Sequence, residues 1–138
     1  MSGFEIKNLA NPLYYEENVL PPHSDHKYYG SEAELASGCS SFKYSLNGLW
    51  HIHVARNLAE RPEGFEGSDY DCRHWDTIAV PAHIQMEGYG KPHYTNTTYP
   101  WDGHEAIVPG ELPQGNPVAS YVKYFAVPEG WQDVRISF

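Results

Sequence analysis

Residues 80–103 read VPAHIQMEGYGKPHYTNTTYPWDG, and the rest of the chain takes its meaning from this stretch. Gly88, Gly90, Pro92 and Pro100 interrupt it, which rules out a long helix and marks a folded loop. Tyr89, Tyr94, Tyr99 and Trp101 crowd among small polar residues. Aromatic faces beside amide and hydroxyl groups suit a sugar, whose ring has an apolar face and a polar rim. Residue types alone favour a plainer alternative, a surface loop stapled by its own tyrosines; the order of the residues shifts that weighing.

Upstream, Asp71 opens the pattern D-x-x-x-W-x-x-I-x-V-P. Asp71 is suited to cap a short turn, Trp75 to drop into the core, and Ile78 and Val80 to share one face of a short strand. Further back, residues 45–48 form a turn and Trp50, Ile52 and Val54 alternate with His51 and His53, the period of a half-buried strand. Histidines at i and i+2 on a strand can chelate a metal, but a pair alone is incomplete. The expected fate of His51 and His53 is a polar outer face or a contact with another domain. Residues 57–68 are a loop with one anchor, Phe65. Cys72 beside His74 has no oriented third group, so it is not read as a nucleophile.

Downstream, residues 107–117 form another Pro/Gly-rich loop, and 119–127 are apolar on both faces, as expected of a strand inside a two-layer sandwich. Val134, Ile136 and Phe138 alternate with Arg135 and Ser137, a further strand in which the chain stops. Asp102 and Glu105 are the carboxylates close to the sugar-suited loop; loop capping by Asp102 and a solvated Glu105 are expected.

Residues 1–41 have no sustained period. Asn11-Pro12 and Pro21-Pro22 break any helix, leaving apolar side chains scattered along an extended arm. Ser31 with Glu34 fits a capping box followed by one or two helical turns. His23, Asp25 and His26 lack a diagnostic metal spacing, so solvated or backbone-bonded side chains are expected there.

The 138 residues permit one domain. With 9 Lys+Arg against 18 Asp+Glu and a formal net charge of -9, the acidic balance argues against binding nucleic acid or anionic membrane through a basic surface, while neutral sugars are unaffected. Cys39 and Cys72 are too few for a disulfide framework, no apolar run approaches membrane-spanning length, and Met1 leads into polar residues; a cytoplasmic chain with free thiols is expected.

The opening stretch resembles the N-terminal domain of β-galactosidases of glycoside hydrolase family 2. These carry V-P-x-x-x-Q-x-x-G-Y-x-x-P-x-Y-x-N-x-x-Y-P, and Val80, Pro81, Gln85, Gly88, Tyr89, Pro92, Tyr94, Asn96, Tyr99 and Pro100 fill every fixed position. Trp101 to Glu105 resembles the Gram-positive-type branch. The L-N-G-x-W run at Leu46, the D-x-x-x-W pattern at Asp71 and Asn116, Pro117, Ser120 and Tyr121 resemble further hallmarks; in the arm, Val19 stands where an Arg is common.

The resemblance implies an all-β fold: a jelly-roll (galactose-binding-like) β-sandwich over 42–138, truncated before its last strands, after an extended arm over 1–41. It implies that the intact protein hydrolyses terminal non-reducing β-D-galactosides such as lactose, with retention through two carboxylates roughly 5 Å apart. Those carboxylates and the principal Mg2+ ligands would lie beyond Phe138, so this chain alone is expected to be inactive and to hold no cofactor. It would supply part of the galactose-binding wall, with Asn96 hydrogen-bonding the sugar, Tyr94 shaping the turn, and Trp101 and Asp102 as further candidates. The partners implied are the galactoside, the remainder of the enzyme and further copies in a homo-oligomer. Two alternatives stay open: a free-standing lectin-like galactose-binding module, and a structural segment that joins subunits.

Overall fold

The computed structural model describes residues 5–17, 19–24, 26–91, 96, 98–99, 101, 104–108 and 110–131. The alternation at Trp50, Ile52 and Val54 forms strand β1, Gly48–Ala55. The second predicted strand is β2, Asp76–Val80, and the third is β3, Val118–Val122. They build one antiparallel sheet in the order β2-β1-β3, with Trp50 opposite Ile78 on one side and Ile52 opposite Tyr121 on the other.

Because successive side chains point to opposite faces, Trp50, Ile52, Ile78 and Tyr121 share one face of the sheet. Ile52 is 1% and Ile78 2% exposed. Trp50 meets Tyr121 edge to face at 6.5 Å and donates its Nε1–H to the Leu46 carbonyl at 2.8 Å, which secures the turn before β1.

The opposite face is also covered, contrary to the expectation for His51 and His53. Both are half-buried: His51 lies edge-on to Tyr124 and His53 against Trp75. The reason is the loop between β1 and β2, which folds back over this face. Asp71 accepts the Arg73 N–H at 3.1 Å and Trp75 N–H reaches the Cys72 carbonyl at 3.0 Å, so a tight turn drives Trp75 inward. Phe65 and Tyr70 close around the indole at 6.0 and 5.7 Å. Polar alternation in the sequence thus conceals a strand covered on both sides.

The strand expected over 119–127 is shorter and sits at an edge of the described sheet. Its ladder with β1 ends at the His51–Val122 pair. Beyond it Lys123 Nζ donates to the Leu49 carbonyl at 2.8 Å, and Tyr124, Phe125 and Val127 are exposed, Phe125 stacking on Tyr44. An apolar run becomes strand only where its backbone groups find a partner. The strand expected at Val134 to Phe138 lies outside the described residues.

In the N-terminal segment, Ile6–Ala10 forms a 3-10 helix where an extended arm was expected. The capping signal at Ser31 produces helix α1, Glu32–Ser37. Ser31 Oγ accepts the Glu34 N–H, but the Glu34 carboxylate accepts from Gly30 (2.7 Å) and Ser41 (3.1 Å) rather than from Ser31, closing a loop around the helix. His23 Nδ1 lies 2.8 Å from the Pro21 carbonyl, the backbone-bonded fate expected for it. Among the described residues no helix is long and apolar enough to cross a membrane.

Candidate functional site

The candidate sugar loop leaves the sheet at the end of β2, where Val80-Pro81 is a cis bond. Residues 83–89 then wind into a helical turn. It ends with the Tyr89 N–H on the Ile84 carbonyl (3.1 Å) and the Gly88 N–H on the Gln85 carbonyl (3.4 Å). This paired closure needs a left-handed residue, and Gly88 supplies it with φ 92. The turn aims Tyr89 back at the sheet, where its Oη donates to Asp76 Oδ2 at 3.2 Å. Burial, and then this bond to the Asp76 carboxylate, push the Tyr89 hydroxyl's pKa up. Between the loop's start and the sheet lies an apolar cleft of about 470 Å³ whose walls include Trp50, Ile78, Val80, Pro81 and Tyr121.

At the other end of the loop, the Trp101 carbonyl accepts the N–H groups of His104 (2.9 Å) and Glu105 (3.0 Å), so the backbone makes a single turn there. Glu105, expected to be solvated, is half-buried. Its Oε1 accepts the Gln114 N–H at 2.6 Å and its Oε2 the Gly115 N–H at 2.9 Å. These two donors hold its carboxyl below the usual pKa of a glutamate. The partners are too distant in sequence for any local pattern to reveal them.

Of the residues predicted for the site, Asn96 sits exposed in a bend and Trp101 is half-buried at the head of its turn. Tyr94 and Asp102 lie outside the described residues. Asn96 and Trp101 therefore belong to one loop with its first part bonded to β2 through Tyr89 and its last part closed by Glu105.

Elsewhere, His51 Nδ1, His53 Nδ1 and Trp75 Nε1 are buried and have no hydrogen-bond partner among the described residues. Cys72 is 1% exposed, with its Sγ 3.6 Å from Tyr124 Oη, which itself donates to the Tyr70 carbonyl. This placement makes Cys72 a packing residue. Among the described residues no group of three or more His, Cys, Asp or Glu is placed to hold a metal ion.

The profile described as glycosyl hydrolases family 2, sugar binding domain, matches residues 43–138. The chain belongs to this family. As a glycosyl hydrolases family 2 sugar-binding domain it is 52% identical over 122 residues to a β-galactosidase of Halalkalibacterium halodurans, covering 87% of this chain and 12% of that relative. It is 43% identical over 129 residues to a β-galactosidase of Lactobacillus delbrueckii subsp. bulgaricus, covering 94% of this chain and 13% of the relative. A β-galactosidase large subunit of Latilactobacillus sakei is 38% identical over 144 residues, with 95% of this chain and 23% of the subunit covered. The family 2 domain described here thus spans about an eighth of the first two relatives (12% and 13%) and under a quarter (23%) of the large subunit. These relatives agree with the Gram-positive-type resemblance of the run after Pro100.

Proposed function

We propose that this chain forms part of the galactoside-binding wall of a β-galactosidase that hydrolyses terminal non-reducing β-D-galactosides, lactose among them. The observation that carries the reading is the exposed Asn96 on a loop tied back at Tyr89 and Glu105, within a family 2 sugar-binding domain. An amide on such a loop presents a donor and an acceptor to sugar hydroxyls. Trp101, Tyr94 and Asp102 are assigned to the same wall.

In this reading the described sheet is one part of a jelly-roll sandwich over 42–138, with 1–41 as an arm. The acid/base and nucleophilic carboxylates come from the rest of the enzyme, on the same or a separate chain, in a cytoplasmic homo-oligomer. Two described carboxylates near the loop have structural partners: Asp76 accepts from Tyr89, and Glu105 from Gln114 and Gly115.

The test is hydrolysis of a chromogenic β-galactoside by the chain alone and after mixing with a family 2 β-galactosidase lacking the matching segment. Activity in the mixture only is the expected result. Activity of the chain alone would overturn the placement of the carboxylates. Saturable galactose binding with no activity in either arm would favour a lectin-like module.

A further inference from the structure

We propose that Glu105 is a positioning residue for the sugar-binding loop: its carboxylate clasps the turn headed by Trp101 to the segment at Gln114 and Gly115, and so sets where Trp101 stands. The proposal rests on the reading of this loop as a galactoside-binding wall.

Glu105 is engaged at both ends. Its own N–H donates to the Trp101 carbonyl at 3.0 Å, while its two carboxylate oxygens take separate backbone N–H groups at 2.6 and 2.9 Å. A carboxylate bonded to backbone donors forms charge-assisted bonds, about twice as strong as neutral ones. The lowered pKa of Glu105 accords with that engagement.

The clasp is fastened to a firm part of the molecule. Gly115 lies just before β3, whose Val118 pairs with Ala55 of β1. Leu112, Pro113 and Gln114 face Asn57, Leu58 and Ala59 across a small cleft. That opposite wall is the 3-10 turn Leu58–Glu60, held by the Asn57 side chain accepting the Glu60 N–H and by the Arg56–Glu60 ion pair at 2.9 Å. The path from β1 through its pairing with β3 and back along the chain to Gly115 and Gln114 therefore ends at the Glu105 carboxylate.

The test is NMR of the amides and indole on the isotope-labelled full chain, together with the affinity of the probe methyl β-D-galactopyranoside for the chain mixed with a family 2 β-galactosidase lacking the matching segment. In the wild type, the Gln114 and Gly115 amide protons should exchange slowly, and their shifts should titrate together below the ordinary glutamate pKa. In Glu105→Gln their protection should fall about tenfold, the Trp101 indole signal should move and probe affinity should weaken about three- to tenfold, with Ile52 and Ile78 amides unchanged. Glu105→Asp, which keeps the charge on a shorter arm, should recover part of the loss. Unchanged protection in Glu105→Gln overturns the clasp. Lost protection with an unmoved Trp101 signal and unaltered probe affinity overturns the positioning role. A wild-type mixture that ignores the probe sinks the galactoside reading and the positioning role with it, while the amide titration, which needs no variant, still decides the clasp separately.

Discussion

The His53 imidazole lies against the Trp75 indole, ring centroids 5.4 Å apart and inclined at 46°, joining the central strand to the loop that precedes β2. Phe65 and Tyr70 complete the cluster, and Trp75 is 7% exposed. Burial of an indole among other rings contributes both area and ring-to-ring attraction.

Trp75→Ala should therefore cost about 3–5 kcal/mol, the usual penalty for emptying a large aromatic site. Trp75→Phe should cost clearly less. Urea unfolding followed by far-UV circular dichroism checks this, and equal midpoints for Trp75→Ala and wild type would contradict the described packing.

Glu34 gives the chain an acid-sensitive loop. Its carboxyl is held below the ordinary value by the Gly30 and Ser41 backbone N–H groups. A carboxyl depressed in the folded state contributes stability that is present above the unfolded pKa, about 4.3, and is lost as pH falls through the folded value. The advantage of wild type over Glu34→Gln should thus be present at pH 7 and disappear in strong acid. Thermal midpoints across that range measure it; the group is exposed, so the effect should be small.

The two thiols should separate kinetically. Cys39 is exposed and Cys72 buried beneath Tyr124, and thiol reagents need access to the sulfur. One equivalent should react rapidly in native buffer and the second only on adding denaturant. Two fast equivalents would show that the loop before β2 does not hold Cys72 as described.

Asn96→Ala should weaken galactoside binding about tenfold, the loss of one net hydrogen bond. Exposed in its bend, Asn96 makes no contribution to the core, so the unfolding midpoint should stay within experimental error. Isothermal titration with a β-galactoside, alongside urea unfolding, tests both halves. A lower midpoint with intact affinity would mark Asn96 as a structural residue instead.

Much was legible because its physics is local. Alternation at Trp50, Ile52 and Val54 places β1, Asp71 and Trp75 shape the turn before β2, and Ser31 caps α1. The motif run from Val80 to Pro100 pointed to the family that the profile match establishes.

The remainder depends on groups distant in sequence. Whether His51 and His53 meet solvent is decided by the Trp75 loop folding back on them, and whether Phe125 continues a strand is decided by where the β1 ladder stops. Whether Glu105 is solvated is decided by Gln114 and Gly115 arriving at its carboxylate. Residue types and spacing by themselves determined β1, β2, the turns at Ser31 and Asp71 and the family, because backbone preference and side-chain period act over a few neighbours. Only the tertiary structure decided which polar side chains are covered and which loops are tied together, because burial and hydrogen bonding depend on what the rest of the chain brings into contact.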